Sequence, residues 1–222
     1  MVKRGMGEAG SGKGRFIVVE GPEGAGKSTL VRWLGNELRV EGKKVLTVRE
    51  PGGTPLAEAA RKLALKSRHE RAYAAELFLF LAARADLVER VIGPALSDGQ
   101  IVIADRFVLS TIAYQVAGRG LPREDVEAAL RVATGGLTPD LTLVLDVPVP
   151  LGRERQKTAG KVKDRIERED DTFHTRVRDA YRGASGPGIV HIDASQSKKA
   201  VQDAAWQEVL AATGRTPSLR GA

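Results

Sequence analysis

The chain has 222 residues, of which 42% are hydrophobic and 28% are charged, which is enough for one α/β domain with a substantial core. It contains no cysteine, and this excludes disulfides and thiolate metal sites. No apolar run approaches the roughly 18–20 residues that cross a bilayer, and the N-terminal residues include no apolar signal segment. We therefore expect a cytoplasmic protein that does not contact membranes.

The net charge of +7 is unevenly distributed along the chain. Basic residues are concentrated in residues 1–15, in residues 153–163 and in the tail from residue 213, and the remainder is close to neutral. We therefore do not expect a basic surface that follows a nucleic-acid backbone. The internal basic stretch better suits a bound polyphosphate.

A glycine-rich stretch follows the first predicted strand, residues 16–20. It has the pattern G-x-x-x-x-G-K-S, and a helix predicted over about residues 27–40 follows directly. A strand before and a helix after are the context that a phosphate-binding loop requires. Glycines let backbone N–H groups converge on phosphate oxygens, and the helix N-terminus favours the same negative charge. The predicted triphosphate-binding residues are Gly21, Pro22, Glu23, Gly24, Ala25, Gly26, Lys27, Ser28 and Thr29.

Two side chains of this loop have distinct predicted roles. Lys27 would reach the β- and γ-phosphates, and the Ser28 hydroxyl would bind Mg²⁺. The sequence therefore predicts binding of a nucleoside triphosphate together with Mg²⁺.

The next predicted elements are a strand at residues 45–48, a turn-rich segment at residues 49–54, with the sequence Arg-Glu-Pro-Gly-Gly-Thr, and a helix over about residues 55–66. A long helix is then predicted over residues 71–97. Because this helix is apolar on most of its circumference, we expect it to be buried. We also expect Gly93-Pro94 to kink or break it.

The remaining predicted elements are strands at residues 100–104, 141–146 and 188–193, and helices at residues 107–117, 122–134, from about 150, 164–182 and 198–212. Five short apolar strands alternate with helices, which predicts an α/β fold with a five-stranded parallel sheet and helices on both faces. We expect this domain to span residues 15–212, between a disordered extension of residues 1–14 and a flexible tail of residues 213–222.

Ligands of such sheets bind beyond the carboxyl ends of the strands. Glu20, Arg49, Asp105 and Asp146 lie at the ends of predicted strands, so we expect them to project into the same crevice as the loop. An apolar strand that ends in aspartate is how phosphate-loop proteins hold Mg²⁺, which makes Asp105 a candidate metal ligand. The alternative is a surface ion pair between Asp105 and the neighbouring Arg106.

Arg49 and Arg106 indicate a second phosphate in the site. Each guanidinium is a planar, permanently charged fork that suits phosphate. Together with Lys27 and Mg²⁺, the two arginines supply more cations than one triphosphate requires. An acceptor that is itself a phosphate explains this excess, so the pattern favours a nucleotide kinase over a switch GTPase.

Three residues of the long helix, Glu76, Phe80 and Arg84, are spaced four apart and share one face. An aromatic ring followed one turn later by an arginine can stack on a planar base and hydrogen-bond its edge. The spacing alone favours the alternative, in which Phe80 packs in the core.

Taken together, these stretches resemble those of the thymidylate kinases, enzymes that phosphorylate dTMP to dTDP with ATP. The resemblance covers about residues 16–210, and the segments that carry it lie at residues 16–29, 49–54, 80–84, 105–115, 118–120, 139–146 and 164–167, with Phe173 and Tyr181. The resemblance implies a P-loop NTPase fold of the nucleoside monophosphate kinase type. It also implies a homodimer packed through helices.

For the base and sugar of dTMP, the resemblance implies five contacts. Phe80 would stack on thymine, and Arg84 would hydrogen-bond the edge of the base. Thr111 and Gln115 would also face the base. Tyr114 would lie against the deoxyribose and disfavour a 2′-hydroxyl.

For the phosphate of dTMP, the resemblance implies that Arg49 and Arg106 bind it. Glu23 would help to position this phosphate and Mg²⁺. Asp164 and Glu167 resemble residues of a lid hinge near the sugar.

The resemblance also bears on a lid, expected at about residues 151–164. Some thymidylate kinases carry a catalytic arginine within the phosphate loop, and others supply it from the lid. This sequence has Gly24 at the loop position, so the lid is expected to supply the cation. Arg153 and Arg155 are the candidates, although the lid is lengthened and rich in lysine compared with the bacterial pattern. Basic lid residues that only attract anions are the alternative.

Two other functions remain open at this stage. A kinase for another nucleoside monophosphate would share the chemistry. A non-catalytic protein that senses ATP would share the phosphate-binding loop but would need no second base site.

Overall fold

The computed structural model describes residues 14–66, 70–158, 160 and 164–214. The expectations for the extension before residue 14, for residues 159 and 161–163 of the lid, and for the tail beyond residue 214 lie outside these residues. Gly14 belongs to the described part, and its backbone N–H donates to the carbonyl oxygen of Leu96 at 3.2 Å.

The sheet has five parallel strands in the order β2-β3-β1-β4-β5. The strands are β1 (Arg15–Glu20), β2 (Val45–Arg49), β3 (Ile101–Asp105), β4 (Leu141–Asp146) and β5 (Ile189–Asp193). The predicted α/β fold is therefore confirmed, and the strand bounds differ from the prediction by one residue at most.

Helices connect the strands. They are α1 (Lys27–Val40), α2 (Pro55–Arg61), α3 (Tyr73–Leu87), α4 (Gly93–Ser97), α5 (Val108–Thr111), α6 (Arg123–Thr134), α7 (Val149–Thr158), α8 (Asp171–Arg182) and α9 (Lys198–Ala212). Three of them continue into π-helical turns, at Lys62–Lys66, Val88–Ile92 and Ile112–Gly118. Such turns often lie at functional sites, because they shift the direction of the side chains that follow.

The core lies on both faces of the sheet, as the residues of β1 illustrate. Ile17 and Val19 pack on one face with residues of α1 and α9. Phe16 and Val18 pack on the other face with residues of α3 and α4. Because successive side chains of a strand point to opposite faces, a continuous apolar strand is what a sheet covered on both faces requires.

Gly93-Pro94, expected to kink or break the long helix, does not break it. Residues 73–97 form one continuous helical stretch, in which the π-helical turn at Val88–Ile92 leads directly into α4. Pro94 lies in the first turn of α4, where a missing N–H costs little. The change of register before Pro94 therefore accommodates the proline without ending the helix.

The expectation that the long helix is buried holds for only part of its surface. Phe78 is 62% exposed and Tyr73 is 47% exposed, whereas Leu77 and Leu81 pack against α6. The apolar composition predicted burial, and both α2 and α6 do pack against α3, but the described residues leave Phe78 uncovered.

The charged helix predicted over residues 164–182 begins only at Asp171. Asp170 caps it, because its side chain accepts a hydrogen bond from the backbone N–H of Phe173 at 2.7 Å. Residues 164–170 form turns instead. Within the described part of the chain, no helix is both long and apolar enough to cross a membrane.

The core predicts a clear difference between two positions of α1. Leu34 is fully buried and Val40 is 79% exposed. We expect Leu34→Ala to lower the free energy of unfolding by about 2–5 kcal/mol, because it leaves a cavity in the core. The matched control, Val40→Ala, should change it by about 0.5 kcal/mol or less. Urea denaturation followed by circular dichroism measures both values, and equal effects would contradict this description of the core.

Candidate active site

A cavity of about 620 Å³ lies where the strands end at their carboxyl edge. Part of its wall is the phosphate loop and the start of α1, from Glu23 to Leu30. Another part consists of side chains that follow β2, lie on α3 or follow β3, namely Arg49, Glu50, Phe80, Arg84, Asp105, Arg106, Ser110, Thr111, Tyr114 and Gln115. The cavity therefore brings these residues, which are up to 92 positions apart in sequence, into one site.

A hydrogen bond within the phosphate loop holds the Lys27 side chain in place. Its ammonium group donates to the carbonyl oxygen of Pro22 at 2.7 Å, and the side chain is buried. Burial, together with the nearby Arg106 guanidinium, lowers the pKa of Lys27 to about 8, although Glu23 and Asp105 partly oppose this shift. A bound polyphosphate would stabilise the charged form of this ammonium group.

Two oxygen groups meet at the foot of the loop. The Ser28 hydroxyl donates to Asp105 Oδ2 at 2.5 Å, so the two predicted Mg²⁺ ligands converge from different elements. Both are hard oxygen donors, and Mg²⁺ usually takes only one or two protein ligands and completes its shell with phosphate oxygens and water. The residues therefore fit Mg²⁺. No cluster of three or more His, Cys, Asp or Glu residues that could hold a metal ion occurs among the described residues.

Glycine is required at position 24 by a close approach of α7. Gly24 has φ +75°, and a Cβ atom there would lie 2.2 Å from the carbonyl oxygen of Gly152. A Cβ atom on Gly152 would in turn lie 2.5 Å from the carbonyl oxygen of Glu23. Both positions must be glycine because the lid helix packs directly against the phosphate loop.

Arg106 forms several hydrogen bonds at the cavity. Its NH1 group donates to Ser110 Oγ at 3.1 Å and to the Tyr181 hydroxyl at 3.1 Å. Its NH2 group donates to Glu23 Oε1 at 2.5 Å and to the Tyr114 hydroxyl at 3.2 Å. These bonds hold the guanidinium in one orientation beside the phosphate loop.

The backbone of Arg106 is strained. Its φ is +77°, and it is the one non-glycine residue with a positive φ among the described residues. Such a conformation costs of order 1–3 kcal/mol and persists where the surroundings determine it, often at functional sites. Here the Arg106 N–H donates to the carbonyl oxygen of Val19 at 3.0 Å.

Glu23 is the anionic partner of Arg106. Burial alone would raise the pKa of Glu23, but Arg106, with help from Lys27 and the Tyr114 hydroxyl, lowers it to about 2. Burial raises the pKa of Tyr114 well above its usual value, so this phenol keeps its proton and donates to Glu23 Oε1 at 3.0 Å. Glu23 is therefore an ionised carboxylate at the edge of the cavity.

Arg84 is fixed by a buried ion pair. Its Nε and NH2 groups donate to Glu50 Oε2 at 2.7 and 2.5 Å, and NH1 donates to Thr111 Oγ1 at 2.8 Å. Both partners of the ion pair are about 4% exposed. Burial raises the pKa of Glu50, against the attraction of Arg84. A rigid guanidinium that lines the cavity is suited to recognising a ligand with fixed geometry.

Aromatic groups lie beside Arg84. Phe80 is half-buried and lines the cavity, so it is neither wholly core nor wholly exposed. Tyr114 and Gln115 also line the cavity and are 6% and 2% exposed. The arrangement offers a ring face and several polar groups to one planar ligand.

The two lid arginines differ in position. Arg155 lines the cavity, and its NH1 group donates to the carbonyl oxygen of Ala194 at 2.8 Å. Arg153 does not line the cavity. It pairs with Asp171 and donates to the carbonyl oxygen of Glu169 at 3.2 Å. The structure therefore brings only one of the two predicted lid arginines to the cavity.

Comparison with known proteins agrees with this geometry. The sequence profile described as thymidylate kinase matches residues 19–205. The thymidylate kinase of Pseudomonas putida (strain GB-1) is 48% identical over 193 residues, which cover 85% of this chain and 91% of that protein. That of Gluconobacter oxydans (strain 621H) is 45% identical over 204 residues, which cover 90% of this chain and 95% of that protein. The chain belongs to the thymidylate kinase family.

Most residues that the thymidylate kinase resemblance singled out lie together in the cavity. Among the predicted catalytic, nucleotide-binding and metal-binding residues, those that do not line it are Gly21, Pro22 and Arg153. Phe173 and Tyr181 also lie outside its lining. Gly21 and Pro22 lie beneath the loop, where their carbonyl oxygens accept from Arg106 at 3.3 Å and from Lys27 at 2.7 Å. These two residues support the site through their backbone.

Neither Glu20 nor Asp146 lines the cavity, contrary to the expectation for strand ends. Glu20 is fully buried, and Asp146 turns towards α8. The Asp146 carboxylate accepts from Arg178 Nε and NH2 at 2.8 and 3.0 Å. The strand-end rule places a residue at the correct edge of the sheet, but a neighbouring helix decides where the side chain turns.

Sequence reasoning missed two groups of residues in this thymidylate kinase cavity. Arg61 and Leu65 line it from α2 and the turn that follows, and no motif indicated them. Ala194, Gln196, Lys198 and neighbouring residues line it from the loop after β5 and the start of α9. The strand-end rule would have found the second group if it had been applied to β5.

The low pKa of Glu23 predicts a pH-dependent effect on stability. A native pKa of about 2, against 4.5 for an unperturbed glutamate, stabilises the fold above pH 4.5, and this contribution is lost as the pH falls towards 2. We expect Glu23→Gln to be less stable than the unmodified chain at pH 7. This gap, the difference in free energy of unfolding between the two proteins, should narrow by about 2 kcal/mol as the pH falls from 5 to 3.

Urea unfolding at several pH values measures this gap. Glu154→Gln is the matched control, because Glu154 is exposed on α7. A gap that narrows equally for this variant would show that the ion pair with Arg106 is not the cause. A Glu23→Gln gap that stays constant from pH 7 to pH 3 would contradict the ion pair with Arg106.

Proposed function

We propose that this chain transfers the γ-phosphate of ATP to dTMP, which yields dTDP for dTTP synthesis. The observation that carries the proposal is a single cavity lined both by the phosphate loop and by Arg106, Phe80 and Arg84, in a chain of the thymidylate kinase family. A triphosphate site needs only the first group of residues, those of the phosphate loop. The second group supplies a place for a phosphorylated acceptor with a planar base.

ATP would bind along the phosphate loop. The loop N–H groups and Lys27 would hold the β- and γ-phosphates, and Mg²⁺ would bind to Ser28 and Asp105 and neutralise charge on the phosphates. The lining residues after β5, including Gln196 and Lys198, would lie beside the adenosine. This assignment rests on their position in the same cavity as the phosphate loop.

The phosphate of dTMP would bind to arginines that come from different elements. Arg106 is held by Glu23, Ser110 and the two tyrosines, so it requires little reorganisation when the phosphate binds. Arg49 and Arg61 line the same cavity and would add to the positive field. Glu23 would orient Arg106 and set the position of the acceptor phosphate.

Thymine would stack on Phe80 and accept a hydrogen bond from Arg84. One N–H of Arg84 NH1 remains after its bond to Thr111, and it is available to a base oxygen. Tyr114 would lie against the deoxyribose. Asp164 lines the cavity. The backbone N–H groups of Asp164 and Glu167 each donate to the other residue's carboxylate, at 3.0 and 2.9 Å, which suits a hinge beside the sugar.

The reaction would be an in-line attack of the dTMP phosphate oxygen on the γ-phosphorus, with no covalent intermediate. Catalysis would then be mostly positioning and neutralisation of charge by Lys27, Arg106 and Arg155. The lid, residues 151–164, would close over the phosphates and exclude water, which limits hydrolysis of ATP.

Three further expectations belong to this proposal. The chain would act as a homodimer, and the exposed Phe78 on α3 and Val132 on α6, which are 62% and 85% exposed, supply apolar surface for such a contact. The catalytic domain would span residues 15–212. The enzyme would work in the cytoplasm, where its nucleotide substrates are made.

A coupled assay with ATP and four acceptors tests the function. We expect kcat/KM to be highest for dTMP and at least about 100-fold lower for UMP and CMP, because the base and sugar contacts would be mismatched. dUMP, which lacks only the methyl group, should lie between them. Strong turnover of UMP or CMP would favour a kinase for another nucleoside monophosphate, and ATP binding without transfer to any acceptor would favour a sensor.

The lid arginines provide a matched pair of variants. Arg155→Ala should lower kcat about 100-fold, because a cation beside the transferred phosphate is lost. Arg153→Ala removes the same charge from the same helix but outside the cavity, and kcat should stay within about threefold. Steady-state kinetics measures both, and the reverse order of effects would move the catalytic role to Arg153.

A further inference from the structure

A buried carboxylate lies directly behind the side chains that face the base. Glu76 on α3 is fully buried, and it does not line the cavity. Its Oε1 accepts from Arg119 Nε at 3.1 Å, and its Oε2 forms an ion pair with Arg165 NH2 at 3.1 Å. The Arg119 guanidinium also stacks over the rings of Phe173 and Tyr73, at 4.8 and 4.9 Å. The cluster therefore holds Glu76 rigidly from several sides.

Glu76 also accepts a hydrogen bond from Gln115. The Gln115 Nε2 group donates to Glu76 Oε1 at 3.3 Å. A carboxylate can only accept, so the carboxamide must turn its NH₂ group towards Glu76. Among the described residues, no group donates to Gln115 Oε1, and this oxygen belongs to a side chain that lines the cavity.

We propose that Glu76 determines which pyrimidines the site accepts, because it fixes the orientation of the Gln115 carboxamide and leaves Oε1 as the acceptor for the base. Glu76 is thus a positioning residue, which acts through Gln115 and not on the substrate. The inference rests on the proposed function, since it concerns how the proposed dTMP site reads its base.

The orientation matters because the pyrimidines differ at one edge. Thymine and uracil carry a donor at N3–H beside an acceptor at O4, whereas cytosine carries an acceptor at N3 beside a donor at its amino group. An acceptor from Gln115 and a donor from Arg84 match the first pattern and oppose the second. If the Gln115 carboxamide were free to turn over, its NH₂ group could donate to N3 of cytosine, and half of this discrimination would be lost.

The test is the ratio of kcat/KM for dTMP to that for dCMP. In Glu76→Gln, residue 76 can donate or accept, so both orientations of Gln115 become available. We expect the ratio to fall about tenfold, the equivalent of about 1.4 kcal/mol. The loss should appear mainly in KM for dTMP, with kcat within about threefold, because the base lies away from the transferred phosphate.

Glu169→Gln is the matched control. Glu169 accepts from Arg119 NH1 at 2.7 Å, so this variant disturbs the same arginine but has no hydrogen bond to Gln115. We expect it to keep the ratio within about twofold of the unmodified chain while it lowers the melting temperature. An equal fall in both variants would show that Glu76 acts only through the stability of the cluster, and this would overturn the proposal.

Glu76→Asp serves if Glu76→Gln does not fold. It keeps the negative charge beside the arginines but withdraws it from Gln115, so the ratio should again fall. A ratio within about twofold of the unmodified chain in any folded Glu76 variant overturns the inference. Failure of the unmodified chain to phosphorylate dTMP would instead refute the proposed function.

Neutron diffraction on the unmodified chain provides a readout that needs no variant and no activity. Deuterons on the Gln115 nitrogen that point to Glu76 support the proposal. A carboxamide oxygen that points to Glu76 overturns it.

Discussion

The carboxylate of Glu20 determines the geometry of the phosphate-binding edge. It ends the central strand β1 and is fully buried. Its oxygens accept from the backbone N–H groups of Phe107 and Ser110 at 2.7 and 3.1 Å, from the Ser110 hydroxyl at 2.6 Å and from the Tyr181 hydroxyl at 3.1 Å. A buried carboxylate without such partners would cost several kcal/mol. The same hydroxyls accept from Arg106, so the position of the proposed phosphate-binding arginine follows from how Glu20 is satisfied.

A second constraint connects the phosphate loop with the lid. The backbone of Gly152 on α7 passes so close to Gly24 that neither residue has room for a Cβ atom. A catalytic arginine at position 24 is therefore incompatible with this placement of α7. The same helix presents Arg155 to the cavity. The helix whose backbone leaves no room for a side chain at position 24 is thus the same helix that carries Arg155 to the cavity.

The sheet and much of the site could be predicted from the sequence, because both depend on local sequence patterns. These patterns are the apolar strands, the glycine-rich loop and the ends of the strands. They correctly predicted that Glu23, Asp105 and Arg106 lie together at one cavity. What escaped sequence reasoning depends on neighbours that are distant in sequence. Asp146 turns to Arg178 because α8 lies beside it, and Phe78 is exposed because no element of the described part of the chain covers it. Roles that depend on a bound nucleotide remain predictions.

The central claim is that one cavity holds the phosphate donor and the acceptor nucleotide together. Its most direct test is calorimetric titration with adenosine and deoxythymidine joined through five phosphates, a molecule that spans both proposed sites. The account predicts binding at least about 100-fold tighter than that of either ATP or dTMP, because the second nucleotide binds as part of the same molecule. It also predicts that ATP and dTMP each compete with it. An affinity no greater than that of ATP, unaffected by dTMP, would contradict the account.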